Sequence, residues 1–320
     1  MHYTPAWAMP TRPDDRFCAS AHWSISGVYQ RASCVLHCIF KQHGWRNDQM
    51  AINLSDILLV SDVDETLVEA PAPIPPRNIE AIRRFTEQGG RFAIATGRSV
   101  FSTKQFVDQL PVNAPCVLFN GSGIYDYAAQ KMLTAEYLPA SFRQHIVDLC
   151  AAFPAMGAVV LDEKDLFSVA PITYTDRYLS KEKMLFIDYD LELLKGSYLK
   201  VIFTMDPKMQ PEAMAFLERQ NWQDVHCVRS SPYFIEMLPL HCNKGNGLRR
   251  LSEMVGIPLD RVAAIGDYDN DLEMLQTAGY PVTVADAPDR VKQVCKLVVG
   301  HCMDGAVADL IEHLETHGMS

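Results

Sequence analysis

The chain has 320 residues, 29 of them basic and 39 acidic, for a formal net charge of −10, and 48% of it is hydrophobic. That length allows a large core and two domains, and the acidic balance argues against a nucleic-acid or anionic-membrane surface. No apolar run reaches the roughly 18–20 residues of a bilayer span, and nine cysteines without a repeating spacing read as a reduced, cytoplasmic chain rather than a disulfide framework.

Residues 1–50 are rich in Trp, His, Cys and Arg and show no sustained period. They lack the charged and apolar regions of a secretory signal and are expected to be a poorly ordered N-terminal extension. Cys34 and Cys38 lie near His37 and His43, but no second pair completes a metal-binding spacing.

Regular patterning begins at Ile57. Residues 57–62 read as a buried strand. A loop with Pro71, Pro73, Pro75 and Pro76 leads to a helix over Arg77–Gln88, with Ile79, Ile82 and Phe85 at helical spacing, and Gly89-Gly90 stops it. Arg91–Ala95 is the next strand and, after a helical stretch, Pro115–Phe119 a third. This β-α-β-α-β order predicts a parallel sheet with right-handed crossovers.

Residues 128–240 change character. Helices over Ser141–Ala152 and Pro211–Gln220 alternate with probable antiparallel strands at Ala158–Leu161, Tyr198–Thr204 and Tyr233–Met237. The span reads as an inserted α/β domain. The first pattern then resumes with strands at Val262–Ile265, Pro281–Val284 and Leu297–Val299 and a helix over Asp271–Ala278. The expected fold is α/β, a Rossmann-like parallel-sheet core over 51–127 and 241–320 interrupted by the insertion.

Four segments carry candidate chemistry. The strand 57–62 runs into Asp62-Val63-Asp64-Glu65-Thr66. Residues i and i+2 of a strand share a face, so Asp62 and Asp64 can converge, and two close carboxylates call for a cation. Mg²⁺ suits a site of few carboxylates, waters and substrate phosphate. Asp62 is the candidate nucleophile and Asp64 the candidate general acid/base. Thr96-Gly97, after the second strand, offers a hydroxyl and backbone N–H groups to phosphate oxygens; a helix N-cap with a glycine turn explains the same residues. Lys244 precedes an amphipathic stretch over 246–255 and can neutralise a phosphoryl group. Asp267, Asn270 and Asp271 follow the strand 262–265 as a second acidic cluster, with an acidic turn capping the next helix as the alternative. Asn120, in a turn after the third strand, borders the same edge. His226, His241 and His301 have no paired spacing and read as ordinary side chains.

Together the four segments, in this order, resemble the haloacid-dehalogenase-like phosphatase superfamily. The place of the insertion, between Thr96 and Lys244, resembles the Cof-like sugar-phosphatase subgroup with its α/β cap. The resemblance covers about residues 55–315. It implies Mg²⁺ held by Asp62, the Asp64 backbone carbonyl and Asp267, a phosphoryl group bound by Thr96 and Lys244, and support from Asn270 and Asp271. The implied activity is Mg²⁺-dependent hydrolysis of phosphorylated sugars or similar small metabolites through an aspartyl phosphate. A phosphosugar mutase and a catalytically silent phosphometabolite-binding protein are the rival readings. Glu65 stands where the family usually has glycine. Tyr174, Arg177, Lys181 and Lys183 are polar residues in a plausible cap loop.

Overall fold

Strand β1 (Leu58–Ser61) is buried at all four positions, as a central parallel strand covered on both faces should be. This is a computed structural model, and it describes residues 53–170 and 186–319; the expectations for residues 1–50 and for Tyr174, Arg177, Lys181 and Lys183 lie outside them. The helix Pro76–Glu87 follows β1, with proline at its first turn and Asn78, Ala81, Ile82 and Phe85 buried along one face. It returns the chain to β2 (Arg91–Ile94), parallel to β1 with Leu58 opposite Arg91. The Ser99 side chain caps the helix Val100–Val107 by accepting the Ser102 N–H. Strand β3 (Cys116–Leu118) comes next. It meets the β2 segment through a parallel bridge between Ala95 and Val117, then pairs antiparallel with β4 (Gly123–Asp126), which pairs antiparallel with β5 (Lys131–Ala135).

The helix Phe142–Ala152 leads into a second sheet. Its strands are β6 (Gly157–Leu161), β7 (Leu166–Ala170), β8 (Phe186–Asp188), β9 (Lys200–Thr204), β10 (Val225–Ser231) and β11 (Phe234–Pro239), in the order β10-β11-β9-β6-β7-β8. All its pairings are antiparallel except β7 with β8. The helix Gln210–Gln220 connects β9 to β10. The chain then returns through the helix Lys244–Val255 to β12 (Val262–Gly266), β13 (Tyr280–Thr283) and β14 (Leu297–Val298). These complete an all-parallel sheet in the order β14-β13-β12-β1-β2. Ile52–Ser320 is one compact unit, and the architecture is the expected α/β fold with a parallel-sheet core.

Three local differences have physical causes. The stretch expected as a helix over 246–255 begins at Lys244, because Asn243 caps it by accepting the Asn246 N–H at 2.7 Å. The helix expected over Asp271–Ala278 is a 3₁₀ turn, Asp269–Asp271, followed by the helix Leu272–Thr277. Lys131–Ala135 falls in the span expected for the insertion yet pairs with β4, so on sheet pairing we draw the start of the cap after Ala135. The strands β4, β5, β7, β8 and β10 have no counterpart in the sequence reading. β5 and β10 are mostly half-exposed, and such strands are held by cross-strand partners rather than announced by an apolar run.

Phe119, Asn120 and Gly121 all have positive φ (52°, 53° and 97°). This left-handed stretch brings the chain against the start of the Lys244 helix, where a Cβ on Gly121 would lie 2.1 Å from the Asn243 carbonyl oxygen. We predict that Gly121→Ala lowers the unfolding free energy by roughly 2 kcal/mol or more, measured by urea denaturation. An unchanged midpoint would show that the two segments separate freely.

Candidate active site

Four chain segments meet at the carboxyl ends of β1, β2 and β12, where open α/β sheets receive ligands. Asp62 follows β1 directly, and its N–H donates to the Ile265 carbonyl on β12 at 2.9 Å, extending the parallel ladder by one residue. Lys244 lies at the start of its helix and is fully buried. Its Nζ donates to Asp62 Oδ1 at 2.6 Å and to Asp271 Oδ1 at 2.7 Å. Asp271 Oδ2 accepts the Asp267 and Tyr268 backbone N–H groups at 3.0 and 3.2 Å. Asp267 Oδ1 accepts the Thr66 hydroxyl at 2.8 Å. Gly266 makes room for this packing, since a Cβ there would sit 2.5 Å from the Asp271 carboxyl carbon.

Three acids and one lysine therefore share one site, with Asp62, Asp271 and Lys244 buried and Asp267 half-buried. Burial pushes the Asp62 carboxyl up to about 7; Lys244 pulls it down, and Asp271 and Asp64 add to the rise. Burial likewise raises Asp267 well above the usual carboxylate range, reinforced by Asp271 and Asp62. Lys244 loses proton affinity to burial, but Asp271 and Asp62 more than restore it, and the net shift is upward. One carboxylate oxygen from each of Asp62, Asp267 and Asp271 lies within 4.8 Å of the others. A crowded oxygen-only donor set, in which Asp62 and Asp267 have raised proton affinities, fits a hard divalent cation. Since Lys244 and two N–H groups already occupy Asp271, Asp62 and Asp267 are the carboxylates best placed to hold one.

The other expected residues sit around this centre in different ways. Asp64 stands at the lip, where the Arg98 Nε and Nη2 each donate to one of its oxygens at 2.8 Å; a fork-to-fork pair of this kind is strong and directional. Arg98 is itself buried and lies over the Phe106 ring. Thr96 is buried, and its hydroxyl accepts the Arg98 N–H at 3.2 Å in a local turn; the cap of the following helix is Ser99, not Thr96. Thr96, Gly97 and Arg98 all line one cavity with Asp62, Asp64 and Asp267. Asn120 and Asn270 are bonded to each other, Asn270 Nδ2 donating to Asn120 Oδ1 at 3.1 Å.

The second sheet closes the cavity from above. Asn120 Nδ2 donates to Glu236 Oε2 at 2.8 Å, and Lys200 Nζ donates to the same oxygen at 2.8 Å and also to the Gly97 carbonyl. Lys200 on β9 and Glu236 on β11 are both buried. Arg229 on β10 pairs with Asp269 at 2.5 Å. The cavity volume is about 400 Å³, lined on the cap side by Lys200, Ser230–Phe234 and Glu236, within the range of small-molecule sites. Sequence reasoning did not single out Arg98, Lys200, Glu236 or the role of Thr66. A lone charge inside an otherwise apolar strand (Lys200 in KVIFT, Glu236 in FIEMLP) was the available signal, because a buried charge needs a partner.

Two consequences can be measured. Lys200→Met leaves Glu236 buried without its cation and should cost about 3 kcal/mol of stability, with partial recovery on adding Glu236→Gln; full additivity in that double-mutant cycle would refute the pairing. The second concerns pH. A carboxyl whose folded pKa is raised stabilises the fold when protonated, so the Asp62 contribution is present below about pH 4 and lost as pH rises through about 7. In chelator, wild type should lose melting temperature relative to Asp62→Asn across that window, and Mg²⁺ should restore more at its upper end. Parallel curves for the two proteins would remove the coupling.

The chain is similar to known proteins. Residues 59–311 match the model of a family described as haloacid dehalogenase-like hydrolases. The chain is 28% identical over 262 residues to an HMP-PP phosphatase of Serratia proteamaculans, covering 80% of this chain and 94% of that one. It is 26% identical to a 5-amino-6-(5-phospho-D-ribitylamino)uracil phosphatase of Bacillus subtilis, covering 80% and 96%. A crystal structure of a haloacid dehalogenase-like hydrolase from Bacteroides thetaiotaomicron superposes with a TM-score of 0.71 at 25% identity, over 81% of this chain and 99% of that one. The family match covers most of the chain, and the chain belongs to the haloacid dehalogenase-like hydrolases.

Proposed function

We propose that this protein is a Mg²⁺-dependent phosphomonoester hydrolase of small phosphorylated metabolites, working through an aspartyl phosphate on Asp62. The observation that carries the reading is the meeting of Asp62, Lys244, Asp267 and Asp271 within one largely buried cluster beside a cavity. The relatives support the class of chemistry, since they include phosphatases named for HMP-PP, for a phosphoribitylamino-uracil and, in Escherichia coli, for pyridoxal phosphate.

In this reading a carboxylate oxygen of Asp62 attacks phosphorus and the bond to the ester oxygen breaks. Asp64 gives its proton to the departing alkoxide, then takes one from the water that attacks the aspartyl phosphate, releasing inorganic phosphate and restoring Asp62. Lys244 places positive charge beside Asp62 throughout, and Asp271 keeps the ammonium aimed. The Thr96 hydroxyl and the Gly97 N–H receive phosphoryl oxygens, since the Thr96 N–H is already given to the Val117 carbonyl. Mg²⁺, held by Asp62, Asp267 and the Asp64 carbonyl, would supply charge neutralisation between the carboxylate and the incoming phosphate. Asp64 must exchange Arg98 for a proton to act as the acid, so substrate entry has to loosen that pair. The cap side chains exclude bulk water and meet the leaving group, with Tyr233 and Phe234 offering aromatic surface and Lys200 and Glu236 offering charge, and Tyr268 of the core loop lines the same cavity.

The decisive measurement is phosphate release from a panel of phosphorylated sugars and phosphorylated heterocycles, with Mg²⁺ and with chelator. Wild type should release net inorganic phosphate only with metal, which separates hydrolysis from transfer to a sugar hydroxyl. Asp62→Asn should lose at least ~10³-fold in kcat with its circular dichroism unchanged. Near-wild-type turnover by that variant would end the covalent mechanism, and tight ligand binding without turnover by wild type would favour a silent binding protein.

A further inference from the structure

Away from the acidic cluster, a second set of side chains has the donors and spacing of a transition-metal site. Cys302 is buried in the turn before the last helix, and its Sγ lies 3.7 Å from His301 Nδ1. A carboxylate oxygen of Glu69 completes a group whose ligand atoms all lie within 4.8 Å of one another. His301 Nε2 pairs with Asp286 Oδ2 at 2.8 Å. With a proton on Nε2 for that contact, Nδ1 carries the ring's lone pair, 3.7 Å from the Cys302 sulfur. A carboxylate on the far nitrogen of a ligating histidine is the usual support of a zinc site.

The spacing of sulfur and nitrogen is compatible with zinc. Zinc bonds of about 2.3 Å to sulfur and 2.0–2.1 Å to nitrogen, at a tetrahedral angle, hold the two donors about 3.6 Å apart. We propose that Glu69, His301 and Cys302 form a binding site for Zn²⁺, with Asp286 orienting the histidine and water filling the fourth position. The Cys302 thiol gives its proton to solvent as the Zn–S bond forms, and the ion takes the space that proton occupies between sulfur and nitrogen. Nδ1 also accepts the Met303 N–H at 3.1 Å, and the ion displaces that bond. Half-exposed His301 and exposed Glu69 leave a path from solvent.

The site touches the catalytic segment. Glu69 ends the tight turn that begins at Val63, closed by the Glu65 N–H donating to the Val68 carbonyl at 2.9 Å and by the Asp64–Val68 bridge. Its own N–H donates to Met303 Sδ at 3.4 Å. An ion at Glu69 and Cys302 therefore ties the turn bearing Asp64 and Thr66 to the turn at 301–304. The site draws on none of the groups assigned to phosphate chemistry, and its test is independent of that reading.

The test is Co²⁺ titration of the full-length, chelator-stripped protein, followed by competition with Zn²⁺. A thiolate ligand produces a sulfur-to-cobalt charge-transfer band in the near ultraviolet, which a carboxylate-only site does not. Wild type should develop the band with one equivalent of cobalt and lose it to zinc. Cys302→Ser should abolish it, while Asp286→Asn and Glu69→Gln should each weaken zinc binding about 10-fold or more. The double variant Cys34→Ser/Cys38→Ser should keep the band. No band in wild type, a band that survives Cys302→Ser, or one that disappears with Cys34 and Cys38 overturns the proposal. If Cys302→Ser does not fold, wild-type zinc affinity in both Asp286→Asn and Glu69→Gln overturns it equally.

Discussion

Everything at the carboxyl edge of the parallel sheet is organised around one buried ammonium. Lys244 has no exposed surface and satisfies two carboxylates at once. A buried cation with one partner missing is strongly destabilising, so Asp62 and Asp271 must both be present and correctly turned. That requirement fixes the segment after β1 against the segment after β12. Asp271 carries the constraint further by taking the Asp267 and Tyr268 N–H groups, and Asp267 carries it back to Thr66. The loop that holds Asp62 and the loop that holds Asp267 are thereby one unit.

The same group explains why the site is electrostatically poised. One lysine does not balance three acids crowded at the floor of a cavity, and the proton affinities of Asp62 and Asp267 rise accordingly. A divalent cation relieves that excess more completely than a proton, because it answers two carboxylates together. Glu65 sits on the rim of this loop with φ at 60°, a conformation that glycine adopts without strain. The family's usual glycine at this position thus has a conformational reason, and a side chain has been accommodated here in the same backbone shape.

A second buried pair, Lys200 with Glu236, works on the cap side as Lys244 does below. It reaches Gly97 and Asn120 on the core loops, so the antiparallel sheet is anchored over the cavity by polar contacts rather than by apolar packing alone. Asn120 links the two systems, because it also receives Asn270 from the loop after β12. The price of this link is the run of left-handed residues at 119–121, a strain that functional loops commonly hold.

Much of this was legible in the chain itself. Apolar runs ending in Asp62 and in Gly266-Asp267, separated by helical periods, determine a parallel sheet with acids at its carboxyl ends, because periodicity and strand polarity are local properties. The residue types at positions 62, 64, 96, 244 and 267 likewise determined which chemistry to expect. What tertiary structure alone decided was pairing across distance. Arg98 on Asp64, Thr66 on Asp267, Lys200 on Glu236 and Cys302 beside His301 and Glu69 depend on which loops the fold brings together. Hydrogen bonding and ion pairing act over a few ångströms of space, and separation along the chain carries no record of them.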